Sequence, residues 1–107
     1  MIHQWDIWKA KVPGFQTDHW FVLVSGQERI DNPKRSQING LACFTLRGNP
    51  LPTDVRLNSA DGFAASTVCV CDLVYLLDKR TLYDCIGTVS WERQQAIRSK
   101  VKEVLRF

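Results

Sequence analysis

The sequence predicts a mainly β fold: a small, strongly bent barrel of six strands closed by a C-terminal helix. Three observations carry this. Short apolar runs rich in β-branched and aromatic residues recur up to Val89, each bounded by Gly, Pro, Asn or Asp. The longest, Thr67–Leu77, is followed by the polar connector Asp78–Asp84 and a further short run, Cys85–Val89. After Ser90 the apolar period lengthens to that of a helix. A chain of 107 residues fits one domain around one core, so residues 1–107 read as a single domain.

Each element has its own signal. Ile2–Val12 alternates as a strand, with Trp5, Ile7 and Lys9 on one face and Asp6, Trp8 and Ala10 on the other. Pro13-Gly14 ends it, and Phe15–His19 reads as a loop. Phe21–Ser25 is a short buried strand. Gly26–Gln37 has no periodic apolar face and reads as a long loop, a kind of segment that is often functional. Ile38–Thr45 is the third strand, and Leu46–Thr53 is a loop punctuated by Gly48, Pro50 and Pro52. Asp54–Leu57 alternates as a fourth strand. Asn58–Ala65 turns at Asp61-Gly62 and leads into the fifth. Ser90 is a predicted N-cap with Glu92 in the first turn, and Ile97, Val101, Val104 and Leu105 form the apolar stripe of the helix.

Composition narrows the function classes. Hydrophobic residues make up 45% and charged residues 23%, which argues against disorder. No apolar run reaches the roughly 18 residues of a membrane span. The N-terminus lacks the basic and apolar regions of a signal peptide, so a cytoplasmic location without membrane attachment is expected. The net charge of +3 is compatible with a polyanionic partner without demanding one. Of the four cysteines, Cys69 and Cys71 lie two apart on one strand face and are poorly placed to bridge each other. No Cys or His spacing matches a zinc site, so free thiols and no metal or other cofactor are expected.

Several local wordings, in order, resemble the MazF/PemK (Kid) toxins, ribonucleases of bacterial toxin–antitoxin pairs. Asp6-Ile7-Trp8 resembles their opening G-D-I-W, with Trp5 where glycine is usual. Phe21–Ser25 resembles P-V-V-V-S. Phe44-Thr45 followed by Pro52–Leu57 resembles a strand ending in threonine or serine, a variable loop and P-T-x-V-x-L. Cys71-Asp72, the turn Asp78–Leu82 and Ile86–Ser90 complete the series. Two departures stand out: the usual Arg-Pro before the second strand is His19-Trp20, and an arginine of Kid-like members is Val70. The resemblance implies an SH3-like/CcdB-like barrel, a homodimer, a cognate antitoxin peptide as partner and metal-free cleavage of single-stranded RNA to a 2′,3′-cyclic phosphate.

Such cleavage needs a base for the 2′-hydroxyl proton, an acid for the leaving oxygen and donors for the charged phosphorane. His19 is the acid/base candidate, since histidine ordinarily titrates near neutrality. Its alternative is an ordinary loop histidine. Thr45 can donate to a phosphate oxygen and Arg47 can bind one bidentately, or both can simply be solvated. Asp72, the acid inside the longest run, sits where the resemblance implies a functional aspartate; a structural hydrogen bond is the alternative. Arg29, Lys34 and Arg35 are candidates for RNA phosphates, and Trp20 for a base or for the core. A competing expectation is an inactive or CcdB-like protein on the same fold, binding gyrase or a peptide.

Overall fold

A computed structural model describes residues 1–105. The strands are β1 (Asp6–Ala10), β2 (His19–Leu23), β3 (Gln37–Thr45), β4 (Asp54–Leu57), β5 (Thr67–Asp78) and β6 (Leu82–Thr88). The helices are α1 (Gln27–Asp31) and α2 (Trp91–Leu105), with one-turn 3-10 helices at Ser59–Asp61 and Lys79–Thr81. All strand pairs are antiparallel, in the order β4-β5-β3-β2-β1-β6. Among the described residues, no helix is long and apolar enough to cross a membrane.

The sheet is covered on both faces, which explains why Phe21-Val22-Leu23 is apolar without alternation. Val22 faces one cluster with Ile7, Leu41, Leu57, Cys69 and Ile97. Phe21 and Leu23 face another with Ala10, Ile30, Ile38 and Leu77. The first cluster lies under α2, whose Ile97 is fully buried. Burial of such a side chain is worth about 1.5–3 kcal/mol.

The segment expected as a structureless loop, Gly26–Gln37, instead contains α1. The Gly26 carbonyl accepts from the Arg29 and Ile30 amides, and Ile30 is buried. One apolar residue in a five-residue helix gives no period to read. The helix end is satisfied from a distance: Lys79 Nζ donates to the Ile30 and Asn32 carbonyls at 3.0 and 3.1 Å.

The strands bend as expected, but the sheet does not close. β4 and β6 are its two edges, with no ladder between them. Along β5, Val70–Leu73 stand opposite the single residue Ala42, between the Cys43–Cys69 and Leu41–Val74 pairs. This bulge bends β5, whose first half alone pairs with β4. The gap is covered by the turn after β4. Gly62 lies so close to β6 that an added Cβ would meet the Ile86 carbonyl oxygen at 2.5 Å, and its φ of +99° suits glycine.

Asp61, in that turn, is fully buried and holds α2 in place. Its carboxylate accepts from the Asn58 amide at 3.1 Å and the Ser90 amide at 3.3 Å, and lies 3.2 Å from Arg93 Nε. Ser90 stands at the helix N-cap, its carbonyl accepting from the Gln94 amide. Removing one partner of a buried ion pair typically costs about 3–5 kcal/mol. Because Arg93 is 28% exposed, Asp61→Ala should fall near the low end of that range in urea unfolding. A loss under about 1 kcal/mol would mean that the stranded donors find water instead.

Candidate functional site

At one end of the sheet, β1 finishes, β2 begins, β3 finishes and β5 begins, because all are antiparallel neighbours. The loops there leave a cleft of about 630 Å³, within the ordinary range for small-ligand sites. Lys9, His19, Trp20, Thr45, Arg47 and Thr67 are among its lining residues.

His19 is the first residue of β2, paired with Ala10, rather than the last residue of a loop. Its ring lies between those of Phe15 and Phe44, at centroid distances of 4.4 and 5.2 Å. The two rings restrict its orientation while leaving it half-exposed at the cleft. Among the described residues it makes no hydrogen bond or ion pair, so its nitrogens are left for a ligand. Thr45, the exposed last residue of β3, pairs with Thr67. Leu46 N–H continues that pairing to the Ser66 carbonyl, which places exposed Arg47 just beyond the strand end.

Trp20 is half-buried and engaged on two sides. Phe63 meets it edge-on at 6.4 Å, and Lys9 Nζ sits 5.4 Å from its ring centroid. One face of the indole thus carries an ammonium group, and the half-buried ring lies between the two expected places, core and open cleft.

The other expected residues lie elsewhere. Asp72 is on the β5 bulge, exposed and outside the cleft, so its carboxylate needs no buried partner. Arg29 is on α1, with Nε donating to the Gln37 carbonyl at 2.9 Å. Exposed Lys34 and Arg35 follow it. These three stand near the start of the nine-residue β3, whereas the cleft lies at its end. His19, Trp20, Thr45 and Arg47 are brought together; Asp72, Arg29, Lys34 and Arg35 do not join them.

Sequence reasoning missed Lys9, Asp18 and Tyr83. Lys9 is legible in principle, as a lysine inside an otherwise apolar strand alternation. Asp18 and Tyr83 are 65 positions apart and meet only through the β1–β6 pairing, the Tyr83 hydroxyl donating to the Asp18 carboxylate. All four cysteines are free thiols, Cys85 exposed and the others buried. Cys69 is pushed well up, first by hydrogen bonding to the Cys43 thiol, then to that of Cys71, and by burial. Among the described residues, no cluster of three or more His, Cys, Asp or Glu side chains is placed to hold a metal ion.

Comparison with solved structures shows a shared fold along the whole described chain. An endoribonuclease in complex with its cognate antitoxin, from a mycobacterial species, is 18% identical with a TM-score of 0.85, over 100% of this chain and 97% of that one. The Mycobacterium tuberculosis toxin MazF-mt6 is 16% identical with a TM-score of 0.80, over 95% and 97%. A MazE–MazF complex from Deinococcus radiodurans is 15% identical with a TM-score of 0.75, over 100% and 97%. No family model matches this sequence, and no curated protein does. The chain has the MazF-type fold.

The Tyr83–Asp18 contact, which ties the loop before His19 to β6, has a pH signature. Tyr83 is pushed up to about 12, first by its hydrogen bond to Asp18 and then by desolvation. A raised tyrosine contributes stability that is complete below its ordinary value of 10.0 and is lost as pH rises through about 12. The phenolate absorbance that disappears in Tyr83→Phe should therefore titrate near 12 in the wild type. A midpoint near the ordinary tyrosine value of about 10 would show that the contact does not hold in solution.

Proposed function

We propose that this chain is an endoribonuclease toxin, cutting single-stranded RNA without a metal and neutralised by a cognate antitoxin. The observation that carries the reading is the cleft, where His19, Thr45 and Arg47 converge on a MazF-type fold. Similar structures are named endoribonuclease or toxin, and some are complexes with an antitoxin.

In this reading His19 takes the 2′-hydroxyl proton as the 2′-oxygen bonds to phosphorus. The bond from phosphorus to the 5′-oxygen breaks, that oxygen takes a proton from water, and the imidazolium of His19 returns its proton to solvent. The products are a 2′,3′-cyclic phosphate and a 5′-hydroxyl. Thr45 and Arg47 donate to the phosphoryl oxygens, where charge builds up in the transition state. The RNA supplies its own nucleophile, so the chain need only bind, orient and move protons. Asp72, Arg29, Lys34 and Arg35 stand outside this step and can at most meet flanking RNA.

The reading includes a homodimer. Leu73, Val74, Leu76 and Leu105 are exposed, and Val74 and Leu105 share an apolar groove of about 410 Å³ between β5 and α2. The groove, with Gln4, Asn39, Arg98 and Lys102 beside its apolar residues, is suited to a second copy. Light scattering at micromolar concentration should give twice the chain mass, reduced to a monomer in Val74→Glu. A wild-type monomer would rule the dimer out.

The decisive assay is cleavage of a long single-stranded RNA with EDTA present. The wild type should cut it, while RNA with 2′-O-methyl riboses at the cut site should resist. His19→Ala should be slower by about 10²–10⁴-fold without unfolding, the usual worth of general acid–base help. A cognate antitoxin should suppress cleavage at stoichiometric concentration. A His19→Ala variant as fast as wild type would remove His19 from the mechanism. A wild type that leaves RNA intact would return the fold to a binding role, with gyrase or a peptide as target.

A further inference from the structure

We infer that Lys9 is a catalytic cation of the cleft, its ammonium group contacting the bound phosphodiester, and that Trp20 is the residue that positions it. The rate effect rests on the ribonuclease reading above, whereas the phosphate contact is testable without it.

Four observations lead there. First, Lys9 is the cleft's most firmly mounted cation. It lies on β1, flanked by Trp20 of β2 on one side and Tyr83 of β6 on the other, and the sheet holds its backbone on both edges. Arg47 is exposed on a loop past a strand end. Second, the Lys9 ammonium is held over the indole at 5.4 Å, and the indole is braced by the edge of Phe63. A ring face attracts a cation without neutralising it. Third, among the described residues no carboxylate lies within ion-pair distance of Lys9. The one acid lining the cleft, Asp18, is engaged by the Tyr83 hydroxyl. Fourth, Lys9 shares the cleft with His19 and Thr45, the residues placed at the scissile group.

A cation that is fixed, half-shielded from water and unpaired is an anion site. Its effect should be larger on the transition state than on the ground state. A phosphodiester carries one negative charge and the phosphorane a second, so a fixed ammonium gains attraction as the reaction proceeds. This also gives Trp20 a purpose consistent with its contacts: the indole supports the cation rather than a nucleobase.

The test compares Lys9→Met, which keeps much of the stem and removes the charge, with Lys9→Arg, Trp20→Phe and the Lys9→Met/Trp20→Phe double variant. Two readouts are needed: single-turnover RNA cleavage, and binding of uncleavable 2′-O-methyl RNA across a salt series. Lys9→Met should cleave about 10²-fold more slowly, as for loss of one oxyanion donor, while binding weakens much less. Its plot of log affinity against log salt should be shallower by about 0.7, the increment for one single-strand phosphate contact. Lys9→Arg should restore the salt slope. Trp20→Phe should slow cleavage when Lys9 is present and add nothing in Lys9→Met. A Lys9→Met variant with the wild-type slope and rate overturns the inference while leaving the ribonuclease reading intact. If the wild type binds but does not cleave, a shallower slope in Lys9→Met keeps the phosphate contact and sinks the ribonuclease reading instead. A wild type that does not bind RNA overturns both.

Discussion

The buried carboxylate of Asp61 is the constraint on which the rest of this molecule depends. It gathers the end of β4, the turn beyond it and the start of α2 around one charge, through two backbone amides and Arg93. A helix that merely covered the sheet could slide or pivot, because apolar burial is not directional. The carboxylate sets where α2 begins, and Ile97 then meets the cluster under the helix in one register. Arg93 adds a second tie, Nη1 donating to the Arg56 carbonyl of edge strand β4 at 2.7 Å. The open side of the sheet is thus secured by polar contacts where a closed barrel would use a ladder.

A second buried carboxylate does similar work at the N-terminus. Asp6 accepts from the His3 amide, the Trp8 indole and the Thr88 hydroxyl at 2.9, 3.2 and 2.9 Å. It joins the chain's first turn to the end of β6. Beside it, Trp5 has a φ of +74°, a left-handed conformation costing roughly 1–2 kcal/mol for a residue with a Cβ. A glycine at this position would adopt the same backbone without that cost. In this chain the strain is offset by burying an indole against Ile7 and Val89, with Arg98 over its ring at 5.4 Å. Asn or Gly at position 5 would relieve the backbone and leave a hole.

The cleft adjoins the Asp61 anchor. The turn that carries Asp61 runs on into Phe63, Ala64 and Ala65, which line the cleft, so the anchor also steadies one wall of the site. Side chains presented there sit on rigid strand ends rather than on the loops alone. This is the arrangement that catalysis by positioning requires. His19 is held between two tilted rings and Lys9 by an indole, so aromatic contacts do the orienting that hydrogen bonds do in many sites.

Much of this was legible in the sequence, for a definite reason. Strands and α2 are written in local periodicity, and Asp54–Leu57 and the helix after Ser90 were placed nearly residue for residue. The grouping of His19, Trp20, Thr45 and Arg47 was also foreseeable, because each lies at a strand terminus and antiparallel order brings such termini together. The helix α1 was not legible, since a single anchor, Ile30, and a lysine 49 positions away make it. Nor was the outward direction of Asp72, which depends on a bulge that only strand pairing creates. The open edge between β4 and β6 and the seat of Lys9 on Trp20 belong to the same class. Periodicity is a property of neighbours in the chain. Registers, bulges and cross-strand contacts are set by which distant segments pack together, and only the tertiary structure decides those.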